Sequence, residues 1–257
     1  MKVAIVQHDI VWEDAAATQA HVAPMIAKAA ADGARLIVLS EMFATGFSMR
    51  PERIAEDEGG PSEQFLISAA REHDAYLVAS IAQRDADGSY RNNAIVAAPD
   101  GTVQRYSKIH PFTYAGEHEH YAAGNTHLTV DVDGFRLSVF VCYDVRFADE
   151  FWVRAQVSDG YVVVANWPDT RREHWRILLR ARAIENQAYV IGVNRVGTAK
   201  SLVYVGDSAV ISPLGEVLAE CADGEAVATV EIDAATASHT RRTLPFLPDR
   251  RNNVAGD

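Results

Sequence analysis

Cysteine is scarce in this chain of 257 residues, which holds only Cys142 and Cys221. A disulfide framework or a four-cysteine zinc site needs more sulfur than that. Long apolar runs are missing too. Runs such as residues 161–165 are strand-sized, far short of the ~20 residues that span a bilayer. Positive charge is in the minority, with 24 Lys and Arg against 35 Asp and Glu and a formal net charge of −11. That balance argues against nucleic acid or an anionic membrane as the main partner. No stretch is rich enough in Pro, Gly or Ser to form a linker, and no repeat or low-complexity tract is present. We therefore expect one domain over residues 1–257, with a C-terminal tail from about residue 240. The 48% hydrophobic content supplies a full core without staples. Residues 1–9 read as a strand whose apolar part is too short for a signal-peptide core, so a reduced, cytoplasmic protein is expected.

What is present is a mixed pattern. Short β-branched runs (3–6, 36–39, 76–81) alternate with helical periods (18–32, 62–73) in the first half. Two hairpins follow: 93–98 with 102–106 across Pro99-Asp100-Gly101, and 128–132 with 135–141 across Asp133-Gly134. A helix from Cys142 to residue 156, a strand over 161–165, a helix over 173–186 and a strand over 189–194 come next. The β-rich end holds 208–211, 216–220 and 226–232. Helices mixed with parallel-type and hairpin-type strands predict a layered α/β domain with sheets of mixed direction.

Three of these strands run straight into a reactive side chain: Glu41, Lys108 and Cys142. Ligands of α/β sheets collect beyond the carboxyl ends of strands, so the three can converge. Taken singly, each has an ordinary structural reading as capping carboxylate, surface ammonium or small buried hydrophobe. Together they make chemical sense. A thiol at its free pKa of ~8.5 is a poor nucleophile and needs a neighbouring base. A carboxylate takes the proton and later activates water. An ammonium aimed at the substrate oxygen stabilises a tetrahedral oxyanion, and the backbone N–H of Tyr143 adds a second donor.

Glu41-Met42-Phe43 with Gly46-Phe47, Tyr106-Ser107-Lys108-Ile109-His110, and Val141-Cys142-Tyr143-Asp144-Val145-Arg146-Phe147 resemble the three motif blocks of the nitrilase, or carbon–nitrogen hydrolase, superfamily. The resemblance continues in order through Ala165-Asn166-Trp167-Pro168, Trp175, Ala181-Arg182-Ala183-Ile184-Glu185-Asn186-Gln187 and Asn194-Arg195-Val196-Gly197. It implies a four-layer α-β-β-α sandwich in a single domain, assembled into dimers or larger oligomers. It makes Glu41 the general base, Lys108 the oxyanion-side cation and Cys142 the nucleophile. Glu117, seven residues before Gly124, matches the family's second glutamate. The Glu41 and Asn166 blocks are similar to the ω-amidase branch, which hydrolyses the side-chain amide of 2-oxo acids such as 2-oxoglutaramate. Ser40 stands where many members carry proline, and only a local backbone effect is expected of it.

The resemblance therefore implies an amidohydrolase that releases ammonia from a small carboxylate-bearing amide (2-oxoglutaramate or 2-oxosuccinamate type) through a cysteine thioester. It implies no cofactor, no metal and no macromolecular partner beyond a homodimer. Nitriles, N-carbamoyl amines and aliphatic amides are the alternative substrates on the same apparatus, and a non-catalytic binding module is the rival outside catalysis. Arg171 or Arg172 is expected to grip the substrate carboxylate, against the reading of a solvated helix face. Trp167 and Phe47 divide between pocket wall and core. Asp144 and Arg146 are expected to be ion-paired scaffolding, His118 and His120 solvent-facing or lid residues, and Cys221 a packing residue.

Overall fold

The structure, a computed structural model, describes residues 1–251. Two sheets form its centre. The first runs in the order Ala226–Glu231, Lys2–Gln7, Leu36–Val38, Tyr76–Arg84, Tyr90–Ala97, Val103–Ser107, with Glu56–Asp57 paired beside Tyr76–Arg84. The second runs Val217–Glu220, Ala209–Ile211, Tyr189–Asn194, Gly160–Ala165, Phe135–Val141, Thr129–Val132. Each has a parallel centre joined by helical crossovers and antiparallel strands at its flanks.

The period-two alternation of side chains decides the layering. Val3, Ile5 and Val38 face the second sheet, and join one apolar cluster with Val139, Val141 and Val163. Ala4, Val6, Ile37 and Leu39 point the other way, onto Val22 and Ile26 of helix Ala15–Ala31 and Leu66 of helix Pro61–Glu72. Helix Arg172–Asn186 covers the outer face of the second sheet with Trp175, Leu179 and Ala183. The order is helix, sheet, sheet, helix, in a single domain. Strands buried on both faces account for the continuous apolar runs of the sequence.

Three segments differ from expectation. The helix expected from Cys142 to residue 156 is instead a 3-10 turn, Cys142–Arg146, followed by the short helix Ala148–Trp152. The Asp144 carboxylate turns back to accept the Val141 N–H at 2.9 Å, which favours a tight turn over a continuing α-helix. Residues after 240 do not form a loose tail as far as they are described. Helix Ala234–Thr243 docks through Arg241, which donates to the Ser158 carbonyl at 2.7 Å, and the Arg250 guanidinium lies 4.5 Å from the Trp152 ring centre. Residues 252–257 of that expected tail lie outside the described residues. The hairpin Val196–Ala199 with Leu202–Val205 is additional to the expected elements.

Candidate active site

The carboxyl ends of three strands deliver the reactive groups. Glu41 follows Leu36–Val38, and the next residue, Met42, takes a φ of 39°. Lys108 directly follows Val103–Ser107, and Cys142 follows Phe135–Val141 with a φ of 46°. A non-glycine residue held in the left-handed region costs about 1–3 kcal/mol and persists only where its surroundings over-determine it. Two such residues therefore flank or form the reactive centre.

Polar contacts tie the three strand ends together. The Lys108 ammonium, 1% exposed, donates to Glu41 Oε1 at 2.9 Å and to Glu117 Oε2 at 2.8 Å. Asn92 Nδ2 donates to the same two carboxylates, at 2.8 Å to Glu41 Oε1 and 3.1 Å to Glu117 Oε1. Ser80 orients that amide by donating to Asn92 Oδ1 at 2.8 Å. The other oxygen of Glu41 accepts from the Asn166 backbone N–H at 2.8 Å, and the Asn166 side-chain amide donates to the Glu41 carbonyl. Asn166 follows Gly160–Ala165 of the second sheet, so Glu41 bridges the two sheets.

Glu117 arrives on a loop, in the 3-10 turn Glu117–Glu119, where its carboxylate also accepts the Phe112 N–H. The loop returns to the lysine through Gly124, whose N–H donates to the Lys108 carbonyl at 2.8 Å. A Cβ at Gly124 would stand 2.2 Å from the Ser107 carbonyl oxygen, so this close approach admits glycine alone. His118 and His120 on the same loop are exposed.

Burial sets the resting protonation. Burial pushes the Cys142 thiol well above its ordinary range, and the facing Glu41 and Glu117 carboxylates add to it, with Lys108 opposing. Burial also pulls against the Lys108 ammonium, but Glu117 and Glu41 outweigh it and hold the charge. Burial raises Glu117 above the usual carboxylate range, Lys108 opposing and Glu41 assisting. The arrangement is a protonated thiol beside a positioned carboxylate and a fixed cation. It can transfer the thiol proton as the sulfur attacks, and it can stabilise an oxygen that turns negative.

A cleft of about 450 Å³, counted to its mouth, opens at Cys142. Phe47, Phe112, Tyr143, Trp167, Leu202 and Tyr204 wall it, so Phe47 and Trp167 are pocket residues here. The Phe47 ring centre lies 5.1 Å from the Lys108 nitrogen. Leu202 and Tyr204 come from the additional hairpin. Two guanidiniums enter the cleft. Arg146 sits 4.8 Å from the Trp167 ring centre, and Arg171 lies 6.0 Å from that ring and 5.3 Å from Phe112. Neither has a carboxylate partner among the described residues; Arg146 instead approaches His174 Nδ1 at 3.1 Å. Burial and the neighbouring Arg171 charge pull Arg146 below the usual arginine range.

Several expectations are revised at this point. Arg172 is not at the cleft: its guanidinium forks onto Asp207 with two bonds of 2.7 Å, which commits it to holding its helix against the second sheet. Arg146 is not paired with Asp144, whose carboxylate is spent on Tyr106, His110 and Val141. Ser40 does more than bend the backbone, since its hydroxyl meets His8 Nε2 at 3.2 Å in a fully buried pair. Asn92 and Ser80 escaped the reading of the sequence, and Asn166, though part of a motif block, was given no role there. A signal for Asn92 was available, because the amide pair Asn92-Asn93 runs directly into the apolar stretch 94–97 of the same strand.

Residues 2–242 match the carbon-nitrogen hydrolase family. The chain is 38% identical over 255 residues to an omega-amidase, YafV, of Escherichia coli (strain K12), covering 97% of this chain and 96% of the relative. It is 32% identical over 226 residues to a 2-oxoglutaramate amidase of Bacillus subtilis (strain 168), covering 86% of each. The crystal structure of XC1258 from Xanthomonas campestris, a CN-hydrolase superfamily protein with an arsenic adduct in its active site, superposes with a TM-score of 0.94. That pair is 36% identical and covers 100% of this chain and 99% of the other.

Proposed function

The chain belongs to the carbon–nitrogen hydrolase family and is a hydrolase of non-peptide carbon–nitrogen bonds; from that premise we propose that it is an ω-amidase working through a thioester on Cys142. The substrate is a small ω-amide with a carboxylate at its far end, of the 2-oxoglutaramate or 2-oxosuccinamate type. The observation that carries this reading is the pair Arg146 and Arg171, two cations without carboxylate partners among the described residues, in an aromatic cleft that opens at the thiol. Half-buried guanidiniums of that kind are suited to an anionic ligand. Neutral amides and nitriles would leave both charges unanswered. The relatives named omega-amidase and 2-oxoglutaramate amidase support the same substrate class.

The chemistry follows from the resting state. Cys142 is a thiol, so its sulfur attacks the amide carbon as Glu41 Oε takes the thiol proton. The carbonyl oxygen becomes an oxyanion facing Lys108 and the Tyr143 backbone N–H. That N–H lies in the first turn of Cys142–Arg146, ahead of the turn's internal hydrogen bonds. Glu41 returns the proton to the departing nitrogen, the carbon–nitrogen bond breaks, and ammonia leaves an acyl-cysteine. Water then enters, Glu41 takes one of its protons, and the carbon–sulfur bond breaks to give the acid and the thiol. Glu117 and Asn92 hold Lys108 and Glu41 in register throughout.

The test is ammonia release across 2-oxoglutaramate, 2-oxosuccinamate, glutamine, asparagine, simple aliphatic amides and nitriles. The oxo-acid amides should give the highest kcat/KM. Equal rates on carboxylate-bearing and neutral amides would sink the assignment.

A further inference from the structure

Beside the nucleophile, the proposed mechanism leaves the buried acid Asp144 without a chemical role. Asp144, fully buried two residues after the thiol, accepts four hydrogen bonds. Oδ2 takes the Val141 N–H at 2.9 Å and the Tyr106 hydroxyl at 2.8 Å. Oδ1 takes the His110 N–H at 3.0 Å and meets His110 Nδ1 at 3.2 Å. The donors are not arbitrary. Val141 immediately precedes Cys142, while Tyr106 and His110 flank Lys108 by two residues on each side. One carboxylate thus joins the turn that carries the nucleophile to the segment that carries the cation.

We propose that Asp144 and His110 form a clasp that positions Cys142 against Lys108, with Asp144 as its centre and the His110 Nδ1–H as its most replaceable donor. The proposal rests on Cys142 being the nucleophile. Two observations make the clasp consequential. First, Cys142 holds a φ of 46°, a conformation that needs enforcement, and the bond from Asp144 back to Val141 N closes the turn across it. Second, Lys108 and Cys142 come from different sheets, so no backbone ladder sets their separation.

The charged surroundings of His110 come from every side. Asp144 faces Nδ1 from the nucleophile's turn, and Glu150 of helix Ala148–Trp152 faces Nε2 at 3.5 Å. Asp149 precedes Glu150 on that helix, and His127 occupies the other Glu150 oxygen at 2.6 Å. Phe147 stacks on the imidazole at 3.7 Å between ring centres. Burial alone would discharge the ring, but Asp144 and the helix carboxylates hold it above the usual histidine range. The Asp144 Oδ1 that takes the His110 backbone N–H is an acceptor, so the 3.2 Å contact is one in which Nδ1–H donates to it.

Substitutions separate this positioning role from simple packing. Asp144→Asn keeps the volume but turns one of the accepting atoms into a donor facing donors. His110→Asn places an amide N–H where Nδ1 stands and drops the reach to Glu150. His110→Gln does the reverse. Each purified variant is assayed for kcat and KM on the amide and for the rate of Cys142 alkylation by iodoacetamide, with thermal unfolding to verify the fold. Misplacing reacting groups by ~1 Å costs on the order of 100-fold, so D144N and H110Q should lose roughly 10- to 100-fold in kcat with KM within about 3-fold. H110N should recover most of the rate that H110Q loses, and alkylation should follow the same order. Should D144N fail to fold, the H110N and H110Q pair decides alone. Equal rates in those two variants, or wild-type kcat in a folded D144N while Cys142→Ala is inactive, would overturn the clasp alone. Full activity in Cys142→Ala would take down the nucleophile reading and the clasp together.

Discussion

Removing Arg171 tests the anionic end of the cleft. In Arg171→Met the aliphatic stem can still cover Phe112 and Trp167, which the guanidinium approaches at 5.3 and 6.0 Å, so the apolar wall survives while the charge is lost. A charged hydrogen bond to a carboxylate contributes ~1.5–3 kcal/mol, so kcat/KM on 2-oxoglutaramate should fall roughly 10- to 150-fold. Arg146→Met should behave alike, since both guanidiniums enter the same cleft. The double variant should lose less than the product of the two, because the Arg146–Arg171 repulsion that a bound carboxylate relieves is counted in each single loss. A neutral amide of similar length gains nothing from either charge, so its kcat/KM should stay within about 3-fold, a change under ~0.7 kcal/mol. Arg172→Met serves as the control: its partner is Asp207, so it should alter thermal stability and leave substrate preference alone. The assay is ammonia release at subsaturating substrate for both amides and all four variants. An equal loss on charged and neutral amides in Arg171→Met would refute the reasoning, and so would a preference shift in Arg172→Met.

The other predictions concern charge, acid and assembly. Lys108→Met leaves Glu41 and Glu117 buried together without their cation, so acylation should fall by at least ~100-fold, read as single-turnover ammonia release; near-normal acylation would remove Lys108 from the oxyanion side. His8 is fully buried, and that burial lowers its pKa from 6.5 to about 4. Between those values the unfolded chain binds a proton that the native chain refuses, so stability should fall as pH drops through this window, by at most roughly 3 kcal/mol. Thermal melts of His8→Gln should show a shallower acid slope than the wild type, and an unchanged slope would count against it. Finally, a two-fold dimer is expected, and sedimentation giving a 28.1 kDa species at micromolar concentration would contradict it.

Much of this arrangement was legible because strands announce themselves. Apolar runs leading into Glu41 and Cys142 mark elements buried on both faces, whereas the strand before Lys108 is a half-buried edge strand, and the carboxyl ends of all three meet at one edge. The layer order was available through the family resemblance, not through periodicity, since two sheets buried against each other and against helices leave little alternation to read. The misreadings have a common physical cause. Arg146 and Arg172 are identical in type and both follow a strand end, and only the placement of Asp207 separates a scaffold arginine from a cleft arginine. Asp144 and Arg146 sit two positions apart, yet the 3-10 turn aims one back at Val141 and the other into the cleft. Asn92 orients two carboxylates from a strand interior, where a single sequence shows an amide and not its partners.

A covalent acyl group on Cys142 is the step on which every other assigned role depends. Wild-type enzyme mixed with 2-oxoglutaramate, quenched in acid during turnover, digested and weighed by mass spectrometry should carry the acyl group on the peptide containing Cys142 and leave the Cys221 peptide unmodified. Hydroxylamine added before the quench should discharge that adduct as hydroxamate. Ammonia accumulating at the wild-type rate in Cys142→Ala, or an adduct confined to any other residue, would contradict the central claim.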